Sequence, residues 1–222
     1  MGHEVVILVP MLGRPHRVAP LLASITAATP EPHRVLWLVT SDDTEVGDAV
    51  ETVGGEPLMV PWQGGGDYAR KINAGYRHTS EPLVFCAACD LEFHVGWLAA
   101  AMARLDGTVG VVGTNDLGNR RVMAGEHATH SLVTRAYADT YGTIDEPGKI
   151  LHEGYRHEYV DDELVGTAKA RGAWAFAADS VVEHLHPHWG KAPSDTLYEA
   201  QAGRMSASRH LYLRRRRLWM SP

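Results

Sequence analysis

Four short runs limit the fold more than anything else in the chain. VVILV at Val5 to Val9, VLWLV at Val35 to Val39, LVFCA at Leu83 to Ala87 and VGVV at Val109 to Val112 carry no charged, amide or hydroxyl side chain. A strand with one wet face alternates apolar and polar residues, because successive side chains point to opposite sides. A strand lacking that alternation is covered on both faces, as in a parallel sheet between layers of helices. The intervening segments agree with this reading. Helical patterns are expected over Pro15 to Ala28, over Asp67 to His78 with Asp67 as N-cap, and over Trp97 to Leu105, with a short strand at Glu56 to Val60. Strand and helix in alternation give an α/β fold: a Rossmann-like three-layer arrangement with a mostly parallel central sheet.

After Gly113 the pattern loosens. Residues 114 to 159 are rich in Gly, His, Asn and Asp, and their helical signal is confined to about Val133 to Tyr141, so a long functional loop is expected there. A helix over Asp161 to Arg171, strands at Trp174 to Ala177 and Val181 to Leu185, and a closing helix from Ser194 complete the chain. The 222 residues then divide into a nucleotide-binding half (1–113), an acceptor-side catalytic half (114–193) and a C-terminal helix with a basic tail (194–222). The net charge of -6 argues against whole-surface attraction to nucleic acid. No apolar run reaches the roughly 18 residues of a membrane span, and MGHEVVILVP lacks the order of a leader, so a cytoplasmic protein is expected. Cys86 and Cys89 form a C-x-x-C on a predicted strand, which would hold them about 10 Å apart on opposite faces, so they are read as free thiols.

In open α/β sheets, ligands bind beyond the carboxyl ends of the strands. Polar clusters stand at those ends: Asp42 and Asp43 after the second run, Asp90 and Glu92 after the third, Asn115 and Asp116 after the fourth. In extended geometry Asp90 and Glu92 project to one side and suit a shared hard cation, or a cation plus a ribose hydroxyl. In SVVEHLHPHWGK, His184 and His186 share a strand face, and His188 follows in a loop. Carboxylates mixed with imidazoles suit Mn²⁺, with Mg²⁺ as the other candidate. Asp161, Asp162 and Glu163 begin a helix, and three acids exceed what a cap requires, which leaves one to act as a base. Arg14, Arg17, Arg70, Lys71 and Asn73 offer donors to an anionic leaving group. Neither the phosphate-loop Lys-Ser/Thr ending nor the dinucleotide glycine fingerprint is present, which weighs against ATP hydrolysis and NAD-linked redox chemistry.

Laid out in this order, the chain resembles the inverting glycosyltransferases of the GT-A fold, from about Val5 to Trp189. The segment VVILVPMLGRPHRVAPLLASI is similar to the family's opening strand, loop and helix, which places Pro10 and Arg14 at the donor nucleotide. SDDTE stands where the family reads the base with an acid, implying Asp42 or Asp43. ARKINAG is similar to the family's Arg-Asn-x-Gly segment, implying that Arg70 and Asn73 bind the donor. CDLEF resembles the Asp-x-Asp element that holds the diphosphate through a metal; Glu92 replaces the last acid, and Asp90 serves both donor and metal. VDDEL resembles the element that carries the catalytic base, implying Asp162, with Asp161 as the alternative. VVEHLHPHWG resembles the strand with the metal histidine, His184 or His186, followed by a loop that closes on the donor. Asn115, Asp116 and Trp189 fall on the acceptor side.

The phrases FHVGW and GTNDLGN are most similar to small glycosyltransferases of actinobacterial bacteriophages. The resemblance implies transfer from a nucleotide-diphosphate sugar, a UDP-sugar first, to a hydroxyl of a glycan, a protein or modified DNA. Two other readings compete. A sugar-nucleotide nucleotidyltransferase would need a Gly-rich basic loop after the first strand, where PMLGRPHR is a poor version. A non-catalytic sugar- or nucleic-acid-binding module would rest on RHLYLRRRRLW, Arg209 to Trp219.

Overall fold

The computed structural model describes residues 4–64, 66–202 and 205–220. Its strands are β1 Val5–Met11, β2 His33–Thr40, β3 Glu56–Val60, β4 Leu83–Cys86, β5 Leu91–Phe93, β6 Val111–Asn115, β7 Ser131–Thr134 and β8 Trp174–His184. They form one sheet in the order β3-β2-β1-β4-β7-β6-β8-β5. β1 pairs in parallel with β2 and β4, β2 with β3, and β6 with β8, while β7 and β5 pair antiparallel with their neighbours.

The apolar runs are explained by what covers them. Val5, Ile7, Val9 and Met11 face one core with Leu21 and Ile25 of α1 (Val18–Ala28), Val46 and Val50 of α2 (Thr44–Thr52), and Trp97 and Leu98 of α4 (Trp97–Met102). Val6 and Leu8 face the other core, with Ile72 and Tyr76 of α3 (Tyr68–His78), Tyr137 of α6 (Arg135–Thr140) and Leu164 of α7 (Val160–Ala170). Burial on both faces removes the need for alternation. Gly75 lets α3 lie directly on the sheet, since a Cβ there would come within 2.8 Å of Leu8 and 2.9 Å of Leu38.

Several boundaries differ from those read in the sequence. Pro15–Arg17 is a separate 3-10 turn ahead of α1. The helical pattern at Val133 to Tyr141 is in fact the end of β7 followed by α6, with Thr134 capping the helix through the Tyr137 amide. The two strands expected at Trp174 to Ala177 and Val181 to Leu185 are the single strand β8. Its register against β6 slips where Thr114 pairs Ala177 but Asn115 pairs Val181, and that irregularity interrupts the period-two signal. The short α5, Arg120–Met123, lies inside the expected loop.

The closing segment forms α8 (Thr196–Ala202) and α9 (Met205–Arg215), followed by a 3-10 turn. Within the basic tail Arg215 is buried: it donates to both Glu163 oxygens at 2.8 and 2.7 Å and to Asp145 at 3.0 and 2.9 Å. Arg214, Arg216 and Arg217 are exposed. Leu211 and Tyr212 pack against the core, whereas Leu213 and Leu218 lie on the surface. No helix among the described residues is long and apolar enough to cross a membrane.

Candidate active site

The sheet order sets the position of the site. From β1 the chain proceeds outward through β2 to β3, then returns to β4 on the other side of β1. This is a topological switch point, where the loops beyond adjacent strands diverge and leave a crevice. A cleft of about 720 Å³ occupies it, lined by the ends of β1 (Pro10 to Arg14), β4 (Ala88 to Asp90) and β8 (His184, His186) and by the starts of α3 and α7. Leu197 and Tyr198 of α8 also face the cleft.

Asp90 is buried in the turn after β4, and its backbone carbonyl accepts from the Leu185 amide at 2.8 Å, which ties it to the end of β8. One carboxylate oxygen, Oδ2, collects three groups: Tyr198 donates its hydroxyl at 2.6 Å, His184 Nε2 lies at 3.4 Å and Arg14 Nη1 at 3.9 Å. Burial opposes the charge, yet His184, Tyr198 and the nearby imidazoles hold the carboxyl well below the usual carboxylate range. Arg14 is itself buried. It grips Asp195 through two bonds of 2.8 and 2.9 Å and stacks on the Tyr198 ring at 3.9 Å. Its Nη1 also reaches Cys89 Sγ at 3.5 Å. Both cysteines are free, as read from the sequence, although Cys89 lies in the turn and not on the strand.

Glu92 does not join Asp90. Because the chain turns at Asp90, the alternation of β5 starts afresh, with Leu91 and Phe93 buried and Glu92 exposed opposite Glu183. The histidines at the β8 end are better placed. His184 and His186 both line the cleft, their ring centres 5.0 Å apart, while His188 does not line it. Burial and the neighbouring His184 push His186 down to about 4, and its Nδ1 already accepts the His188 amide.

The opposite wall carries the two aspartates at the start of α7. Tyr159, at φ 67°, turns the chain into this helix through the left-handed region, a strained conformation for a non-glycine residue. Asp161 Oδ2 lies 3.1 Å from His127 Nε2, and Asp162 accepts from Arg121 Nη1 at 2.9 Å. His127 is buried, and its Nδ1 is 4.0 Å from Asp162. The pair is thereby differentiated. Burial works against Asp161, but the His127 contact keeps its pKa below the ordinary value; burial and the Asp161 charge raise that of Asp162. For His127, Asp161 and Asp162 overcome the desolvation that would lower its pKa, and raise it.

Other expected residues lie away from the cleft. Asn73 is buried and holds the backbone of the 150–151 segment: its Oδ1 accepts from Ile150 and Leu151, and its Nδ2 donates to the Leu151 carbonyl at 2.7 Å. Arg70 donates to the Gly64 carbonyl. Asp42 is exposed, while Asp43 caps α2 and accepts from the Gly13 amide at 2.6 Å, shaping the loop from outside the cleft. Asp116 is buried and accepts from Gly118, Asn119 and Thr129, and Asn115 accepts from the Leu117 amide; both organise the loop after β6. Trp189 packs over Gly118.

The sequence reading missed His127, His130, Arg121, Asp195 and Tyr198. Two of them stood in EHATHS, where closely spaced histidines in an aperiodic loop were the available signal. His130 is buried beside His184, and burial together with His184 pushes its pKa down to about 3.

No protein-family model matches the chain, and no curated protein sequence matches it. Solved structures match its architecture. A mannosyltransferase from Pyrobaculum calidifontis, in complex with GDP-Man and Mn²⁺, aligns with a TM-score of 0.68 at 16% identity. The alignment covers 96% of this chain and 65% of the mannosyltransferase, so the chain spans just under two thirds of that protein. Glucosyl-3-phosphoglycerate synthase from Mycobacterium tuberculosis, in complex with Mn²⁺, UDP and glucosyl-3-phosphoglycerate, aligns with a TM-score of 0.65 at 14% identity over 96% of this chain and 80% of that one. The same synthase with UDP-glucose and phosphoglyceric acid gives 0.66 at 13% identity over 97% and 80%. At such identities the likeness carries the architecture alone: a mixed α/β fold of the GT-A type.

Proposed function

We propose that this chain transfers a sugar from a nucleotide-diphosphate donor to an acceptor hydroxyl, in a reaction that depends on a divalent metal. The observation that carries the reading is the two-walled cleft at the switch point. Asp90 and His184 converge at 3.4 Å on one side, and Asp161 and Asp162 begin a helix on the other. A buried carboxylate beside an imidazole is a donor set that fits a first-row divalent ion. Asp90 and His184 would hold that ion. When bound, it would supply charge stabilisation to a departing diphosphate. The solved structures of the same fold that contain Mn²⁺ and nucleotide sugars support this reading.

The chain's own groups have separate tasks. Arg14 reinforces the anion-binding wall. Asp162 removes the proton of the acceptor hydroxyl, because it is the aspartate whose pKa is raised toward the range a general base needs, while Asp161 is held by His127. A base facing the leaving group across the cleft gives direct displacement with inversion. The donor is read first as a UDP-sugar, and the acceptor as a hydroxyl of a glycan, a protein or modified DNA, in keeping with the resemblance to phage transferases.

A panel of UDP-, GDP-, CMP- and dTDP-sugars with and without Mn²⁺ tests the donor. A ligand at one hundred times its Kd adds about 2.7 kcal/mol of stability, which raises Tm by about 5–10 °C in a chain of this size. The expected result is stabilisation by one nucleotide class that requires Mn²⁺; none with any of them sinks the proposal. Asp162→Asn should keep that stabilisation and lose turnover of the donor.

A further inference from the structure

The start of α7 gathers more than a base. His127 stands in the loop between α5 and β7, and α7 fixes that loop: Lys169 donates to the Glu126 carbonyl at 2.7 Å, while the Glu126 amide donates to the Arg121 carbonyl at 2.8 Å. The ring is thereby carried against the acids of the same helix. One nitrogen of His127 and one oxygen each of Asp161 and Asp162 lie within 4.8 Å of one another, and all three residues line the cleft. Two donors about 2.1 Å from one ion stand roughly 3–4 Å apart. His127 Nε2 is 3.1 Å from Asp161 Oδ2, and Nδ1 is 4.0 Å from Asp162 Oδ1.

The partners these groups have within the fold leave part of their demand unmet. His127 is 2% exposed, and its buried Nδ1 has no hydrogen-bond partner. A buried polar atom left unpaired costs about 1–3 kcal/mol, so its retention calls for a compensating interaction. Neighbouring carboxylates also repel each other unless a cation offsets their charge. Arg121 brings one such charge to Asp162, but its side chain is 55% exposed. An exposed ion pair is worth about 0–1 kcal/mol, so an ion entering the cleft displaces that arm at little cost.

We propose that His127, Asp161 and Asp162 form a binding site for Zn²⁺, separate from the Asp90 and His184 wall, and that an ion seated there shuts off the general base. The site itself stands on the geometry alone; its inhibitory effect rests on the reading of Asp162 above. One imidazole with two carboxylates suits Zn²⁺, whereas Mg²⁺ prefers an all-oxygen shell. A bound cation stabilises the ionised carboxylate and weakens it as a proton acceptor, so occupancy of the site and turnover exclude each other.

The test uses the full chain, stripped with a chelator and given Zn²⁺ alone. Anomalous scattering at the zinc edge, from soaked crystals of the unaltered chain, should place an ion between His127, Asp161 and Asp162; no peak there overturns the site without recourse to any variant. Calorimetry on Asp90→Asn, which disables the other wall, should still detect Zn²⁺ binding, and adding His127→Gln should weaken it at least tenfold. Binding lost in Asp90→Asn alone, or unchanged on adding His127→Gln, also overturns the site. Donor turnover by the unaltered chain in Mn²⁺ should fall as Zn²⁺ fills the site, and full turnover with the site filled overturns the inhibition. Absence of turnover under all conditions overturns the transferase reading and the inhibition with it, while a peak at His127 still upholds the site.

Discussion

At the level of single residues, the two adjacent aspartates of α7 differ because of one histidine. His127 holds Asp161, and the raised pKa of Asp162 makes it the stronger base. If Asp162 is the base, as proposed, turnover needs it ionised, and activity should fall as pH drops through that raised value. Replacing His127 by Leu removes the imidazole that lowers the pKa of both carboxylates, which should raise both and move the acid limb of the donor-turnover profile to higher pH. An unmoved limb would show that His127 has no hold on the base. Legibility at this scale was uneven. Asp90 was readable because a strand ends abruptly in charge, Asp161 and Asp162 because three acids exceed what a helix cap requires, and all three face the cleft. Glu92 was misplaced because a turn at Asp90 resets the side-chain alternation, and nothing in CDLEF reports that turn. Asn73 has the family's spacing but serves as a backbone clamp, since local sequence does not record that the 150–151 segment passes over α3.

At the level of elements, two helices from the end of the chain bear on the cleft in different ways. α9 braces α7: Arg215 pairs with Glu163, and both side chains are nearly inaccessible, at 7% and 4%. Arg215→Met leaves the Glu163 charge buried without its partner and should cost about 3 kcal/mol, seen in chemical denaturation as a lower midpoint. A loss below about 0.5 kcal/mol, the level of a surface substitution, would place the pair in solvent. α8 has a different part, because the Tyr198 hydroxyl occupies the same Asp90 oxygen that lies nearest His184. On the proposed metal-dependent reading, a cation bound through that oxygen competes with the bond. Tyr198→Phe removes the competitor, and Mn²⁺ affinity should rise about tenfold by calorimetry, as a hydrogen bond to a charged group is worth about 1.5–3 kcal/mol. Weaker binding in Tyr198→Phe would instead make the tyrosine a support of the site. Neither contact could be read from the tail itself, where RRRR gives no sign that one arginine is buried and its neighbours are exposed.

Across the whole molecule, the division at residue 113 suggested by composition runs against the hydrogen-bonding of the sheet. β6 begins at Val111 and lies between β7 and β8, both from the later half, while β5 from the earlier half pairs only with β8. The apolar runs and their helices were legible because each is local. The interleaving was not, because it depends on β7 inserting antiparallel between β4 and β6, a long-range pairing with no sequence period. A fragment of residues 1–113 would keep β3-β2-β1-β4 but leave β4 as an unpaired edge carrying Val84 and Phe85. It would also strip β8 from Leu91 and Phe93 and remove the Ser180 hydroxyl from the Trp97 carbonyl. An exposed apolar edge of this kind invites association in place of folding. The fragment should therefore aggregate or give collapsed amide dispersion in nuclear magnetic resonance spectra, and co-expression with residues 114–222 should restore a dispersed spectrum. A well-dispersed monomeric fragment would mean that residues 1–113 are stable without the strands of the later half. The cleft wall that carries His184 would then assemble only on docking, whereas the continuous sheet has it formed as part of the fold.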